Sequence, residues 1–444
     1  MEKIAIVGAG LIGSLQAIFL AKKGYQVDVY ERRDDMRKHT MSAGKSINLA
    51  LSNRGWKALK AVGIDQEIEA ISIPMYGRIM HDVEGNTTHQ PYGKEGEAIY
   101  SVSRGGLNCK LMDCADKFDY VNLYFNMKCE EVDLEQNIIH FLDTTNNKKT
   151  EKQYDRIFAT DGAFSAVRQR LQKTDRFNYE QMYLPHGYKE LSIPANKDGS
   201  HQIEKNALHI WPRGEFMLIA LANEDGSFTC TLFFPFEGET SFESLKSESD
   251  VQEFFQKTFP DALELMPNLV EEYFENPTSS LVTIKCSPWN YQDKVLLMGD
   301  SAHAIVPFYG QGMNSGFEDC TVFDEIFEAN HSNWLNTFHE FSNKRKADGD
   351  AIAELAIQNF VEMRDKVADE KFLLQKKIEK KIFSKHPDKW IPLYSQVTFT
   401  HIPYSEALEA GKRQQKIMDN IMAKSNIENS WDSDEVEKEI LASL

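Results

Sequence analysis

The run Lys3-Ile4-Ala5-Ile6-Val7-Gly8-Ala9-Gly10-Leu11-Ile12-Gly13 decides how this chain is read. A short, mostly apolar segment precedes the first glycine, the pattern of a strand buried on both faces. Ile12 to Lys22 then follows with helical periodicity, and Gln26 to Glu31 alternates as a second strand. Strand, helix and strand within about thirty residues demand a right-handed crossover and a parallel sheet. In that frame Gly8 makes the tight turn, Gly10 lets a pyrophosphate approach the backbone, and Gly13 lets helix and strand pack closely. The helix start supplies free N–H groups and a positive dipole end. Glu31 closes the second strand, where a carboxylate can accept both ribose hydroxyls of an adenosine and would repel a 2′-phosphate. The expected resident dinucleotide is therefore FAD or NAD rather than NADP.

Later segments separate those two. Lys294 to Pro307 reads as a strand, then Gly299-Asp300, then a small-residue turn into a helix. Asp300 is placed to accept a hydrogen bond from a ribityl hydroxyl, which FAD has and NAD lacks. Gly310-Gln311-Gly312-Met313-Asn314 follows, with glycines that let the backbone come close to a flat ring. A third segment, Asp161 to Arg168, again follows a strand. His303 belongs to the Gly299–His303 turn, where a polar residue positions backbone and cofactor; it is not read as a catalytic base.

Outward from these motifs the texture changes. Residues 76–142 mix strands with a helix near Leu107–Lys117. Between 176 and 285 strands such as Glu215–Leu221 and Ser227–Phe234 alternate around the turn Asn223-Glu224-Asp225-Gly226, which predicts an antiparallel sheet. From Gly316 the pattern is mostly helical. The expected class is α/β, with a Rossmann-like FAD-binding domain, an antiparallel-sheet substrate domain and a C-terminal helical region. Its expected divisions are 1–175 and 286–330 for the FAD-binding domain, 176–285 for the substrate domain, and 331–444 for helices covering the site.

The 444 residues are 41% hydrophobic and 27% charged, enough to bury real cores, and the formal net charge is −18. That balance argues against a nucleic-acid partner, which needs concentrated positive charge. The six cysteines show no C-x-x-C pair and read as reduced thiols of an intracellular, cytoplasmic protein. No run approaches the roughly 18 apolar residues of a membrane span, and the polar end from Asp432 to Glu439 gives no tail anchor. No His, Cys and carboxylate cluster has metal-ligand spacing, so no metal is expected.

The three glycine- and aspartate-bearing segments, in this order and spacing, resemble the flavoprotein aromatic hydroxylases, and Arg104-x-x-Leu107-x-x-x-Leu111 resembles that family's helix beside the flavin. Lys45–Ser52, Pro185–Tyr188, Leu208–Arg213, Phe228–Leu232, Pro307–Asn314, Gly316–Cys320, Asn359–Arg364 and Ile391–Tyr394 are similar to the branch that acts on L-kynurenine. The resemblance implies bound FAD, with NADPH and O2 as co-substrates and one oxygen atom placed on the ring carbon beside an aniline nitrogen. It implies cofactor contacts at Gly8, Gly10, Gly13, Glu31, Ala50, Arg104, Cys129, Asp161, Asp300, Gly312, Met313 and Asn314. It further implies Arg78 and Tyr92 at the amino-acid carboxylate, Asn359 and Tyr394 from the C-terminal segments, and Phe308 and Tyr309 as walls of the reactive face. Taken alone, Arg78 reads as a surface arginine and Tyr92 as a turn residue. One fingerprint only is present, so NADPH is expected to bind transiently. Animal members carry a hydrophobic C-terminal extension that holds them to a membrane; none is seen here. A homodimer is among the assemblies expected. Another aromatic-acid hydroxylase, an NAD-dependent dehydrogenase and a non-catalytic flavin protein stand as alternatives.

Overall fold

The computed structural model describes residues 2–38, 48–363 and 369–444. Lys45, Ser46, Ile47 and Arg364, which belong to two of the segments quoted above, lie outside the described residues.

The opening unit folds as its pattern predicts. Lys3–Val7 pairs in parallel with Gln26–Tyr30, and the helix Leu11–Lys22 crosses between them. Ile4, Ala5 and Ile6 are fully buried, as befits a strand covered on both faces. The sheet is completed from distant parts of the chain. Its six strands run in the order Asn290–Tyr291, Val295–Leu297, Arg156–Ala159, Lys3–Val7, Gln26–Tyr30 and Val121–Tyr124. All neighbours are parallel except the short edge strand Asn290–Tyr291. Both Asp-bearing turns thus leave adjacent strands, Arg156–Ala159 and Val295–Leu297, at one end of this sheet.

The second sheet has seven strands, in the order Ser279–Ser287, Asn178–Ile193, Phe228–Pro235, Met217–Ala222, Ala207–Pro212, Gly77–His81 and Thr87–Pro91. Asn223 and Gly226 form the hairpin turn, with Asn223 N–H donating to the Ser227 carbonyl at 2.8 Å. Two features go beyond the sequence reading. The strands Gly77–His81 and Thr87–Pro91 come from within residues 1–175, and Gly77–His81 lies parallel to Ala207–Pro212. Short alternating runs carry no signal of which sheet will take them, and here the long-range pairing decides.

Alternation gives this sheet two different faces. One buries Trp211, Leu218, Leu232 and Phe234 against Phe255 and Phe259 of the helical segment 248–275. The other buries Ile210, Met217 and Phe233 against Phe308, Ile352, Phe360 and Tyr404. Each such aromatic or aliphatic side chain contributes about 1.5–3 kcal/mol by leaving water. The long helix Trp334–Val361 and the helices Leu393–Phe399 and Tyr404–Met422 therefore close over the second face, where the strand Gly77–His81 presents Arg78. No helix among the described residues is long and apolar enough to cross a membrane.

Candidate active site

The glycine turn separates into packing and ligand positions. Gly8 has φ +104°, and a Cβ there would lie 2.5 Å from the Thr160 carbonyl oxygen. A Cβ on Gly13 would meet the Gly8 carbonyl oxygen at 2.0 Å. These two residues hold helix to strand. At Gly10 nothing lies within 4 Å of the Cβ position, so the turn is open on its outer side. Gly10 caps the helix Leu11–Lys22 without any side-chain hydrogen bond, leaving the first N–H groups for an anion. Glu31 lines a cavity of about 260 Å³ with Ala9, Asn108, Met112 and Phe125, a mixed polar and apolar wall of the kind an adenosine needs. Its carboxylate accepts from Ala9 N–H at 3.2 Å and from the Arg33 Nε at 2.9 Å. Open turn, uncapped helix start and carboxylate-walled cavity fit the adenosine and pyrophosphate of FAD.

The two Asp-bearing turns are braced against each other. Asp161 accepts Ala166 N–H at 2.8 Å and the Ser301 hydroxyl at 3.1 Å, and that hydroxyl in turn accepts Gly162 N–H at 3.0 Å. Burial pushes the Asp161 carboxyl up from its ordinary value, against those hydrogen bonds. Arg168 donates to the Ser301 carbonyl at 2.9 Å and to the Ala163 carbonyl, so one buried cation ties both turns. Asp300 opens the short helix Asp300–His303 with its side chain exposed. His303 sits beneath it, stacked on Trp289 at 4.9 Å and hydrogen bonded to Asp319 at 2.6 Å, which is a structural placement.

Asn314 spends its amide on the chain itself. It accepts Ser52 N–H at 2.9 Å and donates to the carbonyls of Ala50 and Gly310, both at 2.8 Å. The backbone of Ala50 is thereby held to the 310–314 turn. A Cβ on Gly312 would meet only Ile305, at 3.8 Å, whereas Met313 is buried. Cys129 is buried on the strand Met127–Asp133, its thiol pushed up by burial and by the nearby Asp161 charge. Arg104 starts the helix Arg104–Asp116 and is exposed, while Leu107 and Leu111 are core residues.

Arg78, Tyr92, Tyr309 and Tyr394, far apart in sequence, meet in one pocket. The Arg78 guanidinium lies 5.3 Å from the Tyr92 ring centre and 4.8 Å from that of Tyr394. Tyr394 stacks between Tyr92 at 5.3 Å and Tyr309 at 5.6 Å. Phe308 stacks on Phe360 at 4.1 Å, and Asn359 donates to the Phe308 carbonyl at 2.7 Å. Burial pushes the phenols of Tyr92 and Tyr309 well up, so both remain O–H donors. The Arg78 Nε is buried with no hydrogen-bond partner among the described residues, and the Tyr92 hydroxyl lies within reach of Arg78 and Tyr394, with Glu362 and Lys376 nearby. An aromatic box around a guanidinium and a phenol is suited to an aromatic ligand that ends in a carboxylate.

Sequence reading missed a buried ionic lattice beside this pocket. Arg345 pairs with Glu318 at 2.8 Å, Asp319 at 2.9 Å and Asp348 at 3.2 Å, and Arg54 also bonds Glu318. Asp319 accepts Gly299 N–H at 2.9 Å, fixing the second Asp-bearing turn. Asp348 accepts Ser405 N–H at 3.0 Å, and Arg54 donates to the Val397 carbonyl at 3.1 Å, fixing the helices that carry Tyr394 and Tyr404. Tyr404 donates to Gln311 at 2.9 Å. The available signal was Glu318-Asp319, two acids directly after Phe317 in the helix Gly312–Ala329, which can only be buried if paired.

Comparison with known proteins bears on the family and the fold. Residues 1–327 match the family model described as an FAD binding domain. The chain is 55% identical over 442 residues to kynurenine 3-monooxygenase of Flavobacterium johnsoniae, covering 100% of this chain and 98% of that protein. It is 44% identical over 421 residues to kynurenine 3-monooxygenase of Sus scrofa, covering 94% and 88%. Among solved structures it is similar in fold to the tetrameric form of 2-methyl-3-hydroxypyridine-5-carboxylic acid oxygenase. That match has a TM-score of 0.67 at 16% identity, covering 84% of this chain and 95% of that one.

Proposed function

The chain belongs to the kynurenine 3-monooxygenase family, and on that premise we propose how its own residues hold the substrate and place its ring. It is an FAD-dependent monooxygenase that uses NADPH and O2 to hydroxylate L-kynurenine at ring position 3, giving 3-hydroxy-L-kynurenine. FAD, when bound, supplies the electron transfer from NADPH and the activation of O2; the protein supplies binding, orientation and exclusion of water.

Gly10 and the uncapped helix start would hold the pyrophosphate, Glu31 the ribose, and Asp300 the ribityl chain, with Asp161, Arg104, Ala50, Cys129, Gly312, Met313 and Asn314 around the remainder. Arg78 takes the substrate carboxylate and the Tyr92 hydroxyl donates to it. The single observation that carries this assignment is the buried Arg78 Nε, left without a partner among the described residues inside an aromatic box that includes the Tyr92 phenol. Tyr394 and Asn359 flank the amino-acid end, and Phe308 and Tyr309 wall the ring. An aniline is already electron-rich at the carbon to be hydroxylated, so the pocket needs no strong base. It needs to stay dry, which the stacked tyrosines and the overlying helices favour. The expected setting is the cytoplasm, and a homodimer is one of the assemblies that light scattering would distinguish.

The test compares L-kynurenine with the amine that lacks its carboxylate, in the wild type and in Arg78→Ala. Losing the carboxylate weakens binding to the wild type by about tenfold or more, as expected of a charged hydrogen bond. In Arg78→Ala that difference shrinks to what the Tyr92 hydroxyl still contributes. If the two losses simply add, Arg78 is not the carboxylate's partner.

A further inference from the structure

The face of the substrate sheet opposite Arg78 carries a chain of buried polar groups that the reaction does not use. His81 ends the strand Gly77–His81, three positions after Arg78 and on the other face by strand alternation. Its Nδ1 lies 2.8 Å from Asp261 Oδ2, and its Nε2 lies 2.9 Å from His209 Nδ1. The His209 Nε2 lies 2.7 Å from the Glu204 carbonyl oxygen. Trp211 donates its indole N–H to the same Asp261 oxygen at 2.8 Å, and His81 stacks on Trp211 at 4.0 Å. His81, His209 and Trp211 are all buried.

Proton counting constrains this chain. Both ends are acceptors, a carboxylate and a carbonyl, and three hydrogen bonds join them through two imidazoles. Three bonds need three protons, whereas two neutral imidazoles bring one each. All three bonds are made together only with one extra proton. Burial holds His209 far below its ordinary value, at about 4, and the chain's one carboxylate faces His81. Burial works to raise the Asp261 carboxyl, but the hydrogen bonds from His81 and Trp211 leave it below its ordinary value, ready to face a cation. The remaining charged groups facing the chain are Arg213, which donates to the His81 carbonyl at 3.0 Å, with Asp82, Glu84 and Glu204 around it.

The mechanical consequence follows from the pairing. Gly77–His81 has Ala207–Pro212 on one side, with Arg78 opposite Leu208 and Ile79 opposite His209. On its other side it has only the largely exposed strand Thr87–Pro91, which leads into Tyr92. The His81–His209 bond crosses the better supported side, and the Asp261 bond ties the strand to the outer helices.

We propose that His81 is a positioning residue that carries the extra proton of the Asp261–His81–His209 chain and thereby fixes the strand that presents Arg78 to the substrate carboxylate. The proposal rests on the assignment of Arg78 given above. Loss of the proton at high pH sets an imidazole lone pair against the Asp261 carboxylate and loosens the strand, so KM for L-kynurenine rises on the alkaline side while kcat holds.

The experiment is nitrogen NMR of the FAD-loaded, histidine-labelled enzyme, with signals assigned through His81→Gln and His209→Gln, alongside steady-state kinetics. One ring, His81, shows N–H on both nitrogens, and His209 shows N–H on one. Asp261→Asn offers an amide donor to His81, so two neutral rings then suffice; the doubly protonated signal and the alkaline rise in KM both vanish. His81→Ala raises KM by about fivefold, the size of one lost hydrogen bond, with kcat within about twofold. Two singly protonated rings in the wild type at neutral pH overturn the proton assignment. Unchanged KM in His81→Ala, or a fall in kcat alone, overturns the positioning role; should that variant not fold, Asp261→Asn decides the point by its KM profile. Failure of the Arg78 assignment looks different: the NMR result stands, and KM shifts equally for L-kynurenine and for the amine without a carboxylate.

Discussion

Replacing Arg78 probes the substrate pocket most sharply. In Arg78→Ala the pocket loses the cation that stands 4.8 Å and 5.3 Å from two tyrosine rings, while the Tyr92 hydroxyl remains as a donor. A hydrogen bond to a charged group contributes about 1.5–3 kcal/mol. At about 1.4 kcal/mol per decade that is a loss of about 10- to 150-fold in affinity for L-kynurenine. The contacts with the rings exist with and without substrate, so they cancel from this difference. Arg78→Lys keeps a charge but loses the planar fork, and is expected to sit between the two, about tenfold down. FAD retention stays at the wild-type level, because Arg78 lies on the second sheet, whereas the Gly8–Gly13 turn and both Asp-bearing turns leave strands of the first. The assay is titration of each FAD-loaded variant with L-kynurenine, followed by the change in flavin absorbance and by KM for NADPH oxidation. A KM within about twofold of wild type in Arg78→Ala, below the smallest loss worked out here, would remove Arg78 from the site.

Further outcomes follow from the cradle and the lattice. Asp300→Ala is expected to lose FAD on dilution while keeping its melting temperature as apoprotein, read by flavin fluorescence and scanning fluorimetry. Gly10→Val and Gly13→Ala separate the two glycine roles: the first folds but binds FAD poorly, whereas the second drives a Cβ to 2.0 Å from the Gly8 carbonyl and lowers the apoprotein melting temperature. Arg345→Met takes the shared cation from Asp319 and Asp348, leaves Glu318 with Arg54 alone, and costs about 3–5 kcal/mol, measured by urea unfolding. Asp319 gives that variant a pH signature. Burial works to raise its carboxyl, but His303 and Arg345 hold it below its ordinary value. A depressed carboxylate contributes stability that is present above its unfolded pKa, about 4, and is lost as pH falls through the folded value. The wild type therefore loses stability below about pH 4, and Arg345→Met shows a flatter acid limb.

The glycine turn was legible because its constraints are local. Gly8, Gly10, Gly13 and the strand ending at Glu31 lie within one β-α-β unit, and backbone sterics alone give each a role. The hairpin at Asn223–Gly226 was legible for the same reason. The pocket was not, because Arg78, Tyr92, Tyr309 and Tyr394 are joined only by tertiary packing, and no spacing in the chain marks them. Resemblance named them; the fold puts them in stacking distance. Asn314 reads differently in three dimensions, since its amide ties the Ala50 strand to the 310–314 turn. Arg54, Arg345 and the His81–His209–Asp261 chain lay beyond periodicity altogether, because the partners that tie them to other elements stand 26 to 264 residues away.

The most direct test of the whole account is NADPH oxidation by the purified FAD-loaded protein under labelled O2, with and without L-kynurenine, with product mass recorded. The account predicts that L-kynurenine stimulates oxidation and leaves as a product carrying one labelled oxygen atom. Stimulation that yields only hydrogen peroxide, or no stimulation at all, would contradict it.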